Sequence, residues 1–277
     1  MMKNLAGKVA LVSGSGRGIG RAIALKLARH GARVVVNDLD EAPALEVVEA
    51  IRLEGGEAVA CVGSVTAEGF AERFVQTAID HFQGLDIIVN NAGYTWDNVI
   101  QKMSDEQWDA ILDVHLKAPF KILRAAQPII RAFSKAEAEA GHEVFRKVVN
   151  ISSIAGLGGN AGQANYSAGK AGIIGLTLAL AKEWGRMKVN VNCVAFGFIK
   201  TRLTEATADA NASVDIEGRH IKVGLNPDLA KSFERSIPLG RAGTPEEAAN
   251  AVYLLCTPES DYISGQTLVC GGGLSGT

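Results

Sequence analysis

Cysteine is scarce in this 277-residue chain: Cys61, Cys193, Cys256 and Cys270 stand far apart and form no CxxC pair. That spacing argues against a zinc framework or a dense disulfide scaffold and predicts reduced core thiols in a cytoplasmic protein. No metal site is expected. An excess of one charge is lacking too. Lys and Arg total 28 against 30 Asp and Glu, for a net charge of -2, and no basic cluster stands out. Neither nucleic acid nor an anionic membrane surface is therefore an expected partner. No run of eighteen or more apolar residues is present, so no transmembrane helix is expected. The opening "MMKNLAGKVALVSG" passes from a short apolar run straight into glycines, without the long apolar region and cleavage site of a signal peptide. The closing "SGT" matches no lipidation or peroxisomal signal.

What is present fits one large core. Apolar residues make up 47% and charged residues 21%, the balance of a soluble globular domain. Glycine is abundant, 31 residues, which predicts tight turns and close backbone approaches. Short β-branched runs at 8–14, 33–38, 57–64, 85–93, 147–153, 189–195 and 266–273 read as strands. They are almost continuously apolar, as parallel strands covered on both faces are. Helical patterns lie between them at about 18–31, 42–54, 67–82, 105–116, 118–134, 164–186 and 245–256. The alternation predicts an α/β fold, a doubly wound seven-stranded parallel sheet of the Rossmann type, in one domain spanning 1–277. Two stretches break the rhythm. The polar "SKAEAEAGHEVFR" (134–146) reads as a solvated helix end and turn, and residues 200–243 read as a long irregular connection. The latter follows the sixth strand, where a substrate lid would sit.

The first strand ends in "SGSGRGIGRAIA", with Gly14, Gly18 and Gly20 at a strand–helix junction. A tight turn there lets the backbone approach a pyrophosphate held at the helix N-terminus. Glycines can also serve packing alone, but this position in an α/β alternation points to a dinucleotide. Asp38 ends the second strand, eighteen residues beyond Gly20. It is either a turn aspartate or the acceptor for the adenosine ribose hydroxyls, repelling a 2′-phosphate. Arg17, in the glycine turn, would attract that phosphate; Asp38 is given the greater weight, and NAD(H) is expected over NADP(H). Further on, "GNAGQANYSAGKAG" (159–172) sets Tyr166 and Lys170 four apart, on one helix face. That pair is a packing coincidence or a proton donor beside a tuning charge.

Together with "NNAG" (90–93), these residues resemble the short-chain dehydrogenase/reductase family, from Gly7 to Gly273. The most specific element is Ser153, thirteen residues before the Tyr166-x-x-x-Lys170 pair. The resemblance implies that Tyr166 is the acid–base, lowered from its ordinary pKa near 10 by the Lys170 ammonium and the oxidised nicotinamide. It implies that Ser153 hydrogen-bonds the same substrate oxygen and that Lys170 holds the nicotinamide ribose. Cofactor contacts are implied at Gly14, Arg17, Gly18, Ile19, Gly20, Asp38, Leu39, Ser64, Val65, Asn91, Ala92, Gly93, Ile199 and Thr201, besides Tyr166 and Lys170. Three positions depart from the family pattern. "VHL" puts His115 where Asn is usual, as a proton relay or a merely structural histidine. Ser64-Val65 replaces an adenine-contacting Asp, and Phe196-Gly197 replaces Pro-Gly.

"VVVNDL", Ser64-Val65, "VHL" and "GQANYS" also resemble (3R)-hydroxyacyl-CoA dehydrogenases, and "GQANY" resembles 3-oxoacyl carrier-protein reductases. The implied reaction interconverts a 3-hydroxyacyl and a 3-oxoacyl thioester, on CoA or acyl carrier protein. Hydroxysteroid or polyol oxidation, and a non-catalytic dinucleotide-binding regulator, are the alternatives. The family resemblance also implies a homotetramer packed through the helices at 118–134 and 164–186. Met103, Trp108 and Trp184 are expected in the core or an interface.

Overall fold

The computed structural model describes residues 3–201, 213–222, 224 and 226–274. Its central strand β1 (Val9–Val12) pairs in parallel with β2 (Arg33–Val36) on one side and β4 (Ile87–Asn90) on the other. With β3 (Ala58–Ala60), β5 (Arg146–Ser153), β6 (Val189–Phe196) and β9 (Thr267–Cys270) they form the expected seven-stranded parallel sheet, ordered β3-β2-β1-β4-β5-β6-β9.

Successive side chains of a strand point to opposite faces, so each apolar run feeds two cores. From β1, Ala10 and Val12 join Ile23 and Leu27 of α1 (Gly18–Arg29), Val47 and Ile51 of α2 (Glu41–Leu53), and Ala248 and Val252 of α9 (Pro245–Leu254). Val9 and Leu11 join Phe70 and Phe74 of α3 (Phe70–Phe82), Ile122 of α5 (Ala118–Glu139) and Trp184 of α7 (Ala164–Trp184). Trp184 is thus in the core, whereas Trp108 stays 37% exposed.

Strand order reverses between β1 and β4, because the chain runs out to β3 at the edge before crossing back. The connections leaving these two strands diverge and open a crevice at their carboxyl ends. The glycine turn, Asp38, the Ser153–Tyr166–Lys170 group and His115 all lie on or beside that crevice.

Three segments differ from the sequence reading. Helix α4 (Asp105–Leu112) opens with a capping box, Ser104 Oγ accepting from Gln107 N at 3.1 Å and Gln107 Oε1 accepting from Ser104 N at 3.0 Å. It does not end before α5; a π-helical turn, Asp113–Lys117, joins the two without a break. Residues 200–243 are not irregular throughout: β7 (Ser213–Ile216) and β8 (Arg219–Lys222) make an antiparallel hairpin, and α8 (Pro227–Ser236) follows behind the cap Asn226. Alternation in "SVDIEGRHIK" around Glu217-Gly218, both at positive φ, is the hairpin signal in the sequence. A short helix, α6 (Ala155–Gly158), has no comparable signal.

The polar stretch at 134–146 is anchored rather than merely solvated, since α5 continues through it to Glu139. Arg146, buried at the start of β5, forms two hydrogen bonds to Glu137 at 2.8 and 2.6 Å and donates to the Leu85 carbonyl at 3.0 Å. Removing one partner of a buried pair strands the other charge, at about 3–5 kcal/mol. The partial exposure of Glu137 lowers that figure here. Glu137→Ala should therefore cost about 2–3 kcal/mol in urea unfolding. Glu139→Ala, which removes only an exposed pair with Lys135 at 3.8 Å, should leave the midpoint almost unchanged.

Candidate active site

The turn after β1 is clamped from both neighbouring strands. From the β2 side, Asn37 Oδ1 accepts from Gly14 N at 3.0 Å, while its amide donates to the Cys61 and Gly63 carbonyls at 3.0 and 2.9 Å. From the β4 side, Asn91 donates to the Ser13 and Gly14 carbonyls at 2.9 and 3.0 Å. The Asn91 and Ala92 amides donate to Ser13 Oγ at 3.0 and 3.1 Å. Gly14 has φ +60°, and a Cβ there would stand 2.7 Å from Ala92 Cα. Gly18, Ile19 and Gly20 open α1, whose first turn has neither a side-chain cap nor an acidic residue. Its free N–H groups and positive end suit a pyrophosphate. The residues therefore fit a nicotinamide dinucleotide.

Asp38 and Arg17, weighed against each other in the sequence, are partners in the fold. Arg17 spans two carboxylates, Asp38 Oδ1 at 3.0 Å and Asp40 Oδ2 at 2.9 Å. Asp38 Oδ1 also accepts from the Asp40 amide at 3.1 Å, while Oδ2 lies where a Cβ on Gly16 would fall. Gly16, which the glycine spacing alone does not single out, is what lets that carboxylate reach over the turn. Around it, Leu39 is 37% exposed, Val65 is buried, and Ser64 Oγ lies 2.8 Å from Thr66 Oγ1 at the end of β3. The Thr201 methyl faces Gly18, 3.9 Å from where a Cβ on that glycine would stand, and buried Ile199 is bridged to Gly243.

Ser153 ends β5, and α7 presents Tyr166 and, one turn on, Lys170. Asn165 fixes this end of the helix by donating to the Trp96 and Gln107 carbonyls at 3.1 and 3.0 Å. Lys170 is buried; its Nζ donates to the Ile151 carbonyl at 2.8 Å and stands 5.5 Å from the Tyr166 ring centroid. Burial pushes the Tyr166 hydroxyl up to about 12, and the Ser153 hydroxyl beside it only partly offsets this. Burial also draws Lys170 down to about 8. The family resemblance implies a lowered tyrosine. In the protein alone the shift runs upward, because desolvation of the phenolate outweighs a lysine held at the ring and turned to Ile151.

The π turn aims His115 into this group. A π turn inserts one extra residue and re-aims the side chains that follow. Nε2 of His115 lies 2.7 Å from the Tyr94 carbonyl oxygen, so it carries the proton and donates. Nδ1 is buried without a hydrogen-bond partner. The ring meets Tyr166 edge-on, at 5.0 Å and 89°, and rests where a Cβ on Gly93 would lie. Burial and the Lys170 charge hold its pKa well below the ordinary imidazole range.

The hairpin closes over one side. Ile221 is 2% exposed and packs in the core that Trp96 and Tyr166 border. Arg219 donates to Glu106 at 3.1 Å and lies over the Trp96 ring. Asp97, between Trp96 and α4, accepts from Gln163 Nε2 at 2.7 Å. Neither Arg219 nor Asp97 sits at a spacing that could have singled it out. Among the described residues no cluster of His, Cys, Asp and Glu could hold a metal ion, and no helix is long and apolar enough to cross a membrane.

Known proteins are similar to this chain in sequence. A family model described as enoyl-(acyl carrier protein) reductase matches residues 14–275. A 3-oxoacyl-[acyl-carrier-protein] reductase of Synechocystis sp. is 39% identical over 275 residues, 99% of each chain. The protein of that name from Vibrio cholerae is 38% identical over 271 residues, 98% of each. Another, from Staphylococcus aureus, is 36% identical over 269 residues, 96% of this chain and 98% of its own.

His115 is held neutral and touches the Tyr94 carbonyl and the Tyr166 ring, so it is expected to act by positioning rather than by carrying charge. His115→Ala should lower kcat about tenfold or more, within the range of lost acid–base alignment, while His115→Asn, which keeps a donor, should retain more activity. The pH profile of kcat should show no change near the ordinary imidazole value of about 6.5 in either variant.

Proposed function

This chain belongs to the short-chain dehydrogenase/reductase family, and from that premise we propose that it interconverts a 3-oxoacyl and a 3-hydroxyacyl thioester with NAD(H). The observation that carries the reading is the convergence of Ser153, Tyr166 and Lys170 beside the clamped glycine turn. When bound, the nicotinamide supplies the hydride. The chain's own residues do the rest. The substrate oxygen is held by the hydroxyls of Ser153 and Tyr166. Tyr166, with a pKa near 12, carries its proton at neutral pH and gives it to that oxygen as the alcohol forms. Oxidation runs the transfer backwards. Lys170, fixed by Ile151, orients the ribose. The whole chain works as one dinucleotide-binding unit with 200–243 as its substrate lid; residues 202–212, 223 and 225 of that lid lie outside the described residues.

The thioester comes from the names of the relatives, whose substrates are 3-oxoacyl groups on a carrier protein. The family model's description favours a second reading, reduction of an enoyl thioester. The two are separated by following NADH consumption with acetoacetyl-CoA and crotonyl-CoA. Turnover of the first and not the second is expected. Assembly as a homotetramer through α5 and α7 is supported by Phe120 and Leu178, which leave 43% and 46% of their surface exposed there. Four free thiols suit a cytoplasmic setting.

Tyr166→Phe keeps the ring and removes the acid. Its kcat should fall about 10²–10⁴-fold, with NADH affinity little changed. A variant keeping more than about a tenth of wild-type kcat would remove Tyr166 from the mechanism.

The cofactor preference rests on Asp38. A 2′-phosphate would meet its carboxylate, and at about 4 Å and an effective dielectric near 20 such charges repel by about 4 kcal/mol before screening. Arg17 offers little relief, being already shared by Asp38 and Asp40. At least about tenfold preference for NADH in kcat/KM is expected. Asp38→Ala should shrink it and Asp38→Arg reverse it. Equal values for NADH and NADPH in the wild type would refute this preference.

A further inference from the structure

Asp97 is an exposed carboxylate held in a fixed place at the start of α7, the helix that carries Tyr166. Its loop is pinned to the start of α7: Asn98 N donates to the Gly162 carbonyl at 2.9 Å, and Asn98 is bridged to Gln163. Asn160 donates to Gln163 Oε1 at 2.9 Å and so turns the Gln163 amide group toward Asp97 Oδ2, which it meets at 2.7 Å. Gln163 lies one helical turn before Tyr166, on the same side of α7. The Asp97 charge reaches the tyrosine, opposing its ionisation.

No cation among the described residues pairs with Asp97, and the nearby ones are committed elsewhere. Lys170 is turned to the Ile151 carbonyl, and Arg219 is shared between Glu106 and Glu217 at 3.1 and 3.5 Å. Asp97 therefore adds a negative charge with no cation partner beside Tyr166. In a 3-oxo compound C1 stands about 2.5 Å from C3 by ordinary bond geometry. C1 is therefore close to the Ser153 and Tyr166 hydroxyls once the 3-oxo oxygen is on them, and so within reach of the Asp97 charge that Tyr166 feels.

We infer that Asp97 makes the site discriminate against free 3-oxo acids, admitting the acyl group only when C1 is uncharged, as in an ester or thioester. This rests on the carbonyl-reductase reading above and specifies its substrate class. The anion is rejected because it would bring a second carboxylate to the side of Tyr166 that already feels the Asp97 charge; a neutral C1 group meets no such repulsion.

The test compares acetoacetate with two neutral probes, methyl acetoacetate and acetoacetyl-N-acetylcysteamine, under NADH. Wild type should reduce the neutral probes with kcat/KM about tenfold to a hundredfold above that for acetoacetate. Asp97→Asn, which can still accept from Gln163, should raise acetoacetate at least about tenfold relative to the neutral probes. Asp97→Glu, which keeps the charge, should preserve the discrimination. An unchanged ratio in Asp97→Asn, with the neutral probes still turned over, would overturn the inference and leave the carbonyl-reductase reading standing. A wild type that reduces none of the three would overturn that reading and the inference with it.

Discussion

Two asparagine side chains hold the chain reversal after β1, and the position of every other group at the site depends on that clamp. Asn37 reaches it from β2 and Asn91 from β4. Each also ties its own strand end to the turn, so the carboxyl ends of three strands are fixed to one another. The glycines permit this approach, but the amides impose it. A side chain at Gly14 would meet Ala92, and without the Asn91 side chain only the contacts to Ser13 would hold the two loops together. The first turn of α1, the Asp38 carboxylate and the Gly93–His115 contact all take their places from that arrangement.

Water exclusion is the second constraint. Tyr166, Lys170 and His115 meet in a poorly solvated corner where each ionisation is driven toward the neutral form: tyrosine up, lysine and histidine down. At neutral pH only Lys170 of the three carries a charge. A proton donor that stays protonated, and a lysine whose ammonium is readily influenced by its neighbours, follow from burial alone. The same burial makes the unpaired Nδ1 of His115 tolerable, since a neutral imidazole leaves only a lone pair unsatisfied, not a charge.

The fold and the gathering of Ser153, Tyr166 and Lys170 are legible in the sequence because both rest on spacing. Strand periodicity, the glycine turn and Ser153-Tyr166-Lys170 are patterns along the chain, and the sheet carries out what they specify. Features that arise across the chain are not legible. That Arg17 and Asp38 neutralise each other depends on how the β2 end curls over Gly16. Asp97 has no motif, only a neighbour sixty-six positions away in Gln163. The π turn is hidden for a different reason. Propensity and apolar period cannot tell an α-helix from one with a single inserted residue, and only its effect on His115 shows that it is there.

The hairpin at 213–222 is fastened over the crevice by two unlike contacts. The Arg219–Glu106 pair is half open to solvent, with 29% and 63% of the side chains exposed, and such a pair contributes at most about 1 kcal/mol. Ile221, fully covered, contributes about 1.5–3 kcal/mol. Closure is thus mainly an apolar contact, made by Ile221 with Val214 and Ile216 packed beside it. Apolar contacts weaken on cooling. The fraction of molecules in which the hairpin has lifted from the core that borders Trp96 and Tyr166 should therefore rise as the temperature falls.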